Sequence, residues 1–295
     1  MSKRRCGYYI QAMCEILYKY LPPCRTGFCK DDKVGLVSGF FPALTLVASR
    51  PFDLNDPFEF AINIDYALTP ENVEHILEKH KRYNAHEIAK EKNISVSDAY
   101  KTINRNLKNL KENPAYRESS SKTLYGNWKT LQNESFRILS LSKNKTSLLM
   151  WAHYAEEHKG FAVGLSQKLS AIKPHKIVFP FRSMIYEKEF TKFELGNPGN
   201  VKMAEKVFTT KSEEWAYEKE ARIIYLCQPH ENDLTKIKLE FAPEAVKEII
   251  FGARMEDGLK KQMRDFCQNR EDLRHVKFFQ AEVSRTHYKL DFIPL

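Results

Sequence analysis

Hydrophobic residues recur along this chain in two rhythms. The commoner one is short apolar runs, rich in β-branched and aromatic side chains and stopped by Pro, Gly, Asn or Asp, which is how strands read. Such runs occupy residues 15–20 (EILYKY, stopped by Pro22 and Pro23), 44–49, 136–142 (FRILSLS), 161–165, 177–181, 221–226 (ARIIYL), 237–241 and 246–251. Residues 184–186 extend the run before them, and 276–281 and 288–293 add two more near the end of the sequence.

The second rhythm is helical. Thr69-Pro70-Glu71 is a helix start, with Thr69 as N-cap and Pro70 in the first turn, and it predicts a helix to about residue 92. Another begins near Ser97, where Ala99, Ile103, Leu107 and Leu110 recur at helical spacing. Thr146 or Ser147 caps a short helix with a buried stripe of Leu148, Trp151, Ala152 and Ala155, which Gly160 ends in a left-handed turn. Helices are also expected around 201–210 and 256–268, the latter between two strands. Residues 51–59 (PFDLNDPFE) read as a structured turn, and 190–200 as a loop. The sum is an α+β fold with a mixed or antiparallel sheet core, one domain over 1–295, and a helical insertion at about 71–113.

Composition narrows the class. The chain is 42% hydrophobic and 12% aromatic, enough to build a core. The longest uncharged stretch, residues 34–49, is shorter than the roughly 18–20 residues of a spanning helix and carries Gly, Pro and Ser, so no membrane span is expected. The start MSKRR is basic, but Glu15 and Lys19 interrupt the apolar run a secretory signal needs, which points to the cytoplasm. In that compartment Cys6, Cys14, Cys24, Cys29, Cys227 and Cys267 are expected as thiols, and their spacing completes no zinc site. Of the net +9, a net +7 sits in residues 79–137, with 13 Lys/Arg against 6 Asp/Glu. Such a segment is either a solvated helical face or an attractor for a nucleic-acid or protein partner.

Candidate chemistry lies elsewhere. In WAYEKEAR (residues 215–222), an extended backbone puts Glu218, Glu220 and Arg222 on one face, so that Arg222 neutralises one carboxylate and leaves the other for work. In WAHYAEEHKG (residues 151–160), Trp151, Tyr154 and His158 share a helical stripe; His153 and His158 are five apart, the wrong spacing for a helical metal pair. In Tyr18-Lys19-Tyr20 the two rings face one way and Lys19 the other, where its ammonium needs water or an anion such as a pyrophosphate. Asn55 and Asp56 precede Pro57 in a fixed turn. Glycine-rich phosphate loop, GxSxG, HExxH and paired CxxC motifs are absent, which excludes the P-loop, kinase, hydrolase-elbow and zincin classes.

The motifs YKY, NDPFE, SLS, MWxHYxxxHKGF, WxxExExR and IIxG, in that order, resemble those of an uncharacterised family of bacterial cytosolic proteins. More distantly, the order of a basic or aromatic strand, a serine strand, a helix, two strands and an ExE at a strand head resembles ADP-ribosyltransferases. That resemblance implies NAD as co-substrate, with Glu220 as the catalytic glutamate and Glu218 assisting. It implies Lys19 or Tyr18 as the first-strand contact and Ser140 and Ser142 as the pocket brace. Lys stands where Arg or His is usual, and S-L-S where S-T-S is usual. Asn55, Trp151, Tyr154 and Arg222 complete the expected cofactor-binding set, with no metal. A bacterial toxin or phage-defence effector is the role this implies. The other readings are a non-catalytic nucleic-acid- or protein-binding module, from the basic segment, and a metal-dependent nuclease, from Glu218-Lys219-Glu220.

Overall fold

A computed structural model describes residues 16–23, 40–41, 43–64, 68–167, 172–173, 177–192, 201–228, 231 and 234–295. Cys6, Cys14, Cys24 and Cys29, Glu15 and most of the 190–200 loop lie outside the described residues. The strands in chain order are β1 (Ile16–Leu21), β2 (Thr45–Ser49), β3 (Ile62–Asn63), β4 (Phe136–Ser142), β5 (Phe161–Ser166), β6 (Ile172–Lys173), β7 (Ile177–Ser183), β8 (Ile185–Glu187), β9 (Thr191–Lys192), β10 (Thr210–Ser212), β11 (Glu220–Leu226), β12 (Lys236–Phe241), β13 (Val246–Phe251), β14 (Lys277–Val283) and β15 (Leu290–Pro294). The helices are α1 (Pro70–Lys92), α2 (Val96–Glu112), α3 (Pro114–Ser135), α4 (Leu148–Tyr154), α5 (Val201–Thr209) and α6 (Asp257–Asn269).

Among the described residues eleven strands form one mixed sheet, in the order β15-β14-β13-β5-β1-β4-β2-β12-β6, with β11 and then β7 branching from β4. The pairings within it are antiparallel except β13 with β14, which α6 joins as a parallel strand–helix–strand unit. The sheet is buried on both faces at its centre, and β5 is buried at every position. Its main apolar layer contains Leu17, Leu139, Val163, Ile223 and Ile249. Residues 184–186 do not extend β7: β8 pairs instead with β10, outside the main sheet.

The helical segment is longer than its sequence suggests. Thr69 caps α1, accepting from the Asn72 amide, with Pro70 in the first turn, and Ser95 caps α2. The helical stretch then runs past residue 113, because Pro114 starts a third helix instead of ending the second. Asn113 caps it by accepting from the Tyr116 amide, and proline is tolerated there because first-turn amides have no helical partner. α3 leads straight into β4. Trp128 and Gln132 of α3 both donate to the Phe60 carbonyl, fixing the arm to the turn before β3. α1 and α2 pack on each other through Ala85, Ala89, Ala99 and Ile103.

Around α4 the expected stripe is corrected. Ser147 is the cap, and Trp151 and Ala155 are buried, but so is Met150, while Leu148 is exposed. The helix stops at Tyr154. The left-handed residues are Glu156, Glu157 and His158, with φ of 44, 54 and 70°. Gly160 is needed for a close approach instead. A Cβ there would lie 2.0 Å from the Leu21 carbonyl oxygen, so only glycine lets β1 pass. No described helix is long and apolar enough to cross a membrane.

Candidate functional site

The sheet opens at β4. One edge of β4 pairs with β11 along its whole length, from Glu220 opposite Ser142 to Leu226 opposite Phe136. The other edge meets β1 only at Ser142, opposite Tyr18, and β2 only at Ile138, opposite Ser49. Between those contacts β1 and β2 diverge. Lys19 spans the gap and its ammonium donates to the Ser140 carbonyl at 3.0 Å.

A cavity of about 290 Å³ occupies this opening. Tyr18, Lys19, Asn55, Ser140, Ser142, Tyr154, Glu218 and Glu220 all line it, so residues from five separated segments meet there. Two members of the expected set do not. Trp151 is wholly buried, its indole N–H donating to the Lys145 carbonyl and its ring meeting Tyr20 edge-on. Arg222 is also wholly buried and lies beneath the carboxylates. Lys219 is exposed, is left-handed at φ 43°, and is not among the lining residues.

Glu218 is not on the strand with Glu220. It ends a 3-10 turn, Glu213–Glu218, and left-handed Lys219 then turns the chain into β11. The carboxylates converge nevertheless, because two buried cations hold them. Arg222 donates to Glu220 Oε1 at 2.7 Å and Oε2 at 3.1 Å, and to Glu59 Oε1 at 2.6 Å. Lys211 of β10 donates to Glu218 Oε2 at 2.7 Å and Glu220 Oε2 at 3.3 Å. Three carboxylates thus face two embedded cations, with Lys19 a third cation on the opposite wall. A buried charge survives only when paired and hydrogen-bonded, as Lys211, Arg222 and the three carboxylates are, whereas the bond of Lys19 is to the Ser140 carbonyl. The expectation of one neutralised and one free carboxylate is therefore corrected, since both are held.

They are not held equally. Glu220 accepts from Arg222 twice, from Lys211 and from the Ser140 hydroxyl, which uses about the four acceptor positions of a carboxylate. Glu218 accepts from Lys211 and, at 2.6 Å, from the Tyr154 hydroxyl, so acceptor capacity remains. Asn55 donates to that tyrosine at 2.6 Å and orients it. Ser142 donates to the Glu218 carbonyl at 2.6 Å, bracing the 3-10 turn. The Tyr18 hydroxyl is engaged behind the sheet, by Glu248 of β13 at 2.8 Å.

Electrostatics follow from this wiring. Burial pushes the Glu220 carboxyl up, but Arg222 and Lys211 more than offset it and hold it at about 2. Burial lowers Lys19, against the pull of Glu220 and Glu218. Lys211 is raised, because those two carboxylates outweigh its burial. Glu59 is raised by burial despite Arg222, and its second oxygen, Oε2, has no protein partner among the described residues.

The stretch that carries α4, Lys211, both glutamates and Arg222 is also the one with a known relative. Residues 150–223 match a family described as Protein of unknown function (DUF2971). The match begins at the MWxHY motif and ends just past WxxExExR, so it covers one wall of the opening and leaves out β1, β2 and β4. No curated protein and no solved structure matches the chain.

Chemically, the opening offers a carboxylate held charged by its cations, a second carboxylate with acceptor capacity, a lysine facing both and a tyrosine bonded to the second. No group of His, Cys, Asp or Glu among the described residues has the arrangement of a metal site. Sequence reasoning misses two members. Glu59 lies inside the NDPFE turn and reads as part of it. Lys211 sits in a polar stretch, between Thr210 and Ser212 in the three-residue β10, and nothing in its sequence pattern marks it.

Proposed function

We propose that the sheet opening binds NAD, cleaves its nicotinamide–ribose bond and transfers ADP-ribose to an acceptor. One observation carries this reading: the split at β4 brings Lys19, Ser140, Glu218 and Glu220 to a single small cavity. In the reaction the C1′–N bond breaks and neutral nicotinamide leaves with the electron pair. Positive charge builds on the ribose, and the acceptor forms the new bond to C1′ and gives up its proton. Glu220, locked in its charged form, supplies a fixed negative field at that charge, and such preorganised electrostatics are the largest part of many rate enhancements. Glu218 accepts from a ribose hydroxyl with its remaining capacity, and Tyr154 and Asn55 keep it aimed. Lys19 faces the pyrophosphate. Arg222 and Lys211 keep Glu220 charged and Lys211 also holds Glu218 in place; they act through the carboxylates and not on substrate.

Labelled NAD tests the reading. The wild-type chain is expected to release nicotinamide. Glu218→Gln and Glu220→Gln are each expected to cut turnover while the circular dichroism spectrum is kept, and Lys19→Ala to weaken NAD binding. No detectable NAD binding by the wild type would sink the proposal, and turnover indifferent to both glutamine variants would remove the carboxylates from it.

A further inference from the structure

A second cavity, of about 510 Å³, lies at the tip of the β14–β15 hairpin and shares no lining residue with the sheet opening. That volume is within the roughly 300–1,000 Å³ of small-ligand sites. Its charged lining is cationic, from Arg254, Arg285 and Lys289, with the imidazoles of His158 and His287 beside them and no carboxylate among the lining residues. Lys289 is paired with Asp291 at 2.8 Å, and the nearby Glu157 is paired with Lys159 at 3.0 Å. Arg254 and Arg285 are exposed and have no ion pair among the described residues. The ring of Tyr288 stands fully in solvent at 103% exposure, with Val283 at 73% beside the hairpin turn.

The site is built, not merely exposed. Glu156, Glu157 and His158 are consecutively left-handed, a costly conformation for residues with a Cβ. The turn is clamped: Arg254 donates its amide to the His158 carbonyl at 3.0 Å, and Gly252 donates to that of Gly160 at 2.8 Å. A Cβ on Gly252 would lie 2.2 Å from the His158 oxygen, so only glycine permits the approach. The HKG and IIxG motifs, which the sheet opening does not use, thus serve to hold His158 and Arg254 against this cavity. On the other wall, Ser284 donates to the Lys289 carbonyl at 3.1 Å and closes the turn that carries Arg285 and Tyr288.

Unpaired guanidinium forks match phosphate oxygens, and an exposed ring beside them offers a π-face to a base. We propose that this cavity is a second site, which binds a nucleotide through its phosphate on Arg254 and Arg285 and its base on Tyr288. The nucleotide is either free or the end of a strand, and the probes separate the two: adenosine monophosphate and a 5′-phosphorylated oligoadenylate, titrated against the full chain by calorimetry. Adenosine monophosphate is expected to bind and adenosine not. The double variant Arg254→Ala/Arg285→Ala is expected to weaken binding at least tenfold. Tyr288→Ala is expected to weaken it about tenfold, the size of a lost base stack, while leaving inorganic phosphate unaffected. These side chains are exposed, so the variants fold. Tighter binding of the oligomer assigns a strand end, and equal binding assigns the free nucleotide. Binding unchanged in the double variant, or lost in Lys19→Ala instead, would overturn the second site without touching the NAD reading.

Discussion

The sheet opening and the three-helix arm are both rich in charge, and they use it in opposite ways. In the opening, Lys211, Arg222, Glu59, Glu218 and Glu220 have side chains no more than 5% exposed, and every one is bonded to another. In the arm, Lys101–Asp98, Lys108–Glu112 and Lys122–Glu118 are ion pairs whose side chains are more than half exposed. The arm carries 12 Lys/Arg against 9 Asp/Glu over residues 70–135, a net +3, yet water screens its pairs to little effect. The opening is nearly neutral in sum, yet desolvation makes each of its charges matter. Net charge along a sequence therefore marks a surface; it does not mark where chemistry can be done.

The widest break between the two regions is a test of stability. Arg222→Met leaves Glu220 and Glu59 buried with only Lys211 as their cation, and is expected to cost about 3–5 kcal/mol in urea unfolding. A loss below about 1 kcal/mol, the size of an exposed pair, would mean the cluster is not desolvated as described. Next comes turnover. Glu218→Gln keeps the shape but removes the charge, and a fall in kcat on the order of 10²–10³ is expected. Lys111→Ala in the arm should leave kcat unchanged, and an equal fall there would erase the distinction.

A smaller effect is expected from acid. Glu220 is held at about 2, below the roughly 4.3 of an unfolded glutamate, so the unfolded chain binds more protons between those values. Its contribution is complete above about pH 5 and is lost as pH falls toward about 2. The acid slope in Glu220→Gln should be shallower than in the wild type, and parallel slopes would dissociate Glu220 from acid unfolding. Smallest of all, replacing Lys101 and Lys122 together is expected to leave the thermal midpoint unchanged within error, and a clear drop would show that the arm's pairs are structural.

Much of the frame is legible in the sequence. The apolar runs at 136–142, 161–165, 221–226 and 246–251 lie within β4, β5, β11 and β13, because strands buried on both faces announce themselves by composition alone. Thr69 and Ser147 cap helices as their chemistry dictates. The errors have physical reasons too. Pro114 reads as a breaker unless its first-turn position is recognised, and α3 has only a weak apolar face, with Leu131 and Tyr125 exposed. Glu218 reads as part of the strand because Lys219, a residue with a Cβ, gives no sign of turning left-handed. Arg222 reads as a pocket residue because its identity is visible in sequence and its depth is not. Lys211 and Glu59 escape notice because their partnership with Glu218, Glu220 and Arg222 exists only after β10, β11 and the 51–59 turn have packed together.

The central claim is that the opening at β4 holds NAD against Glu218 and Glu220. A crystal structure of the chain with a non-cleavable NAD analogue tests it most directly. The account predicts the nicotinamide ribose between β1 and β4, with a ribose hydroxyl about 3 Å from a Glu218 or Glu220 oxygen and the pyrophosphate facing Lys19. An analogue seated elsewhere, with the opening left to solvent, would contradict it.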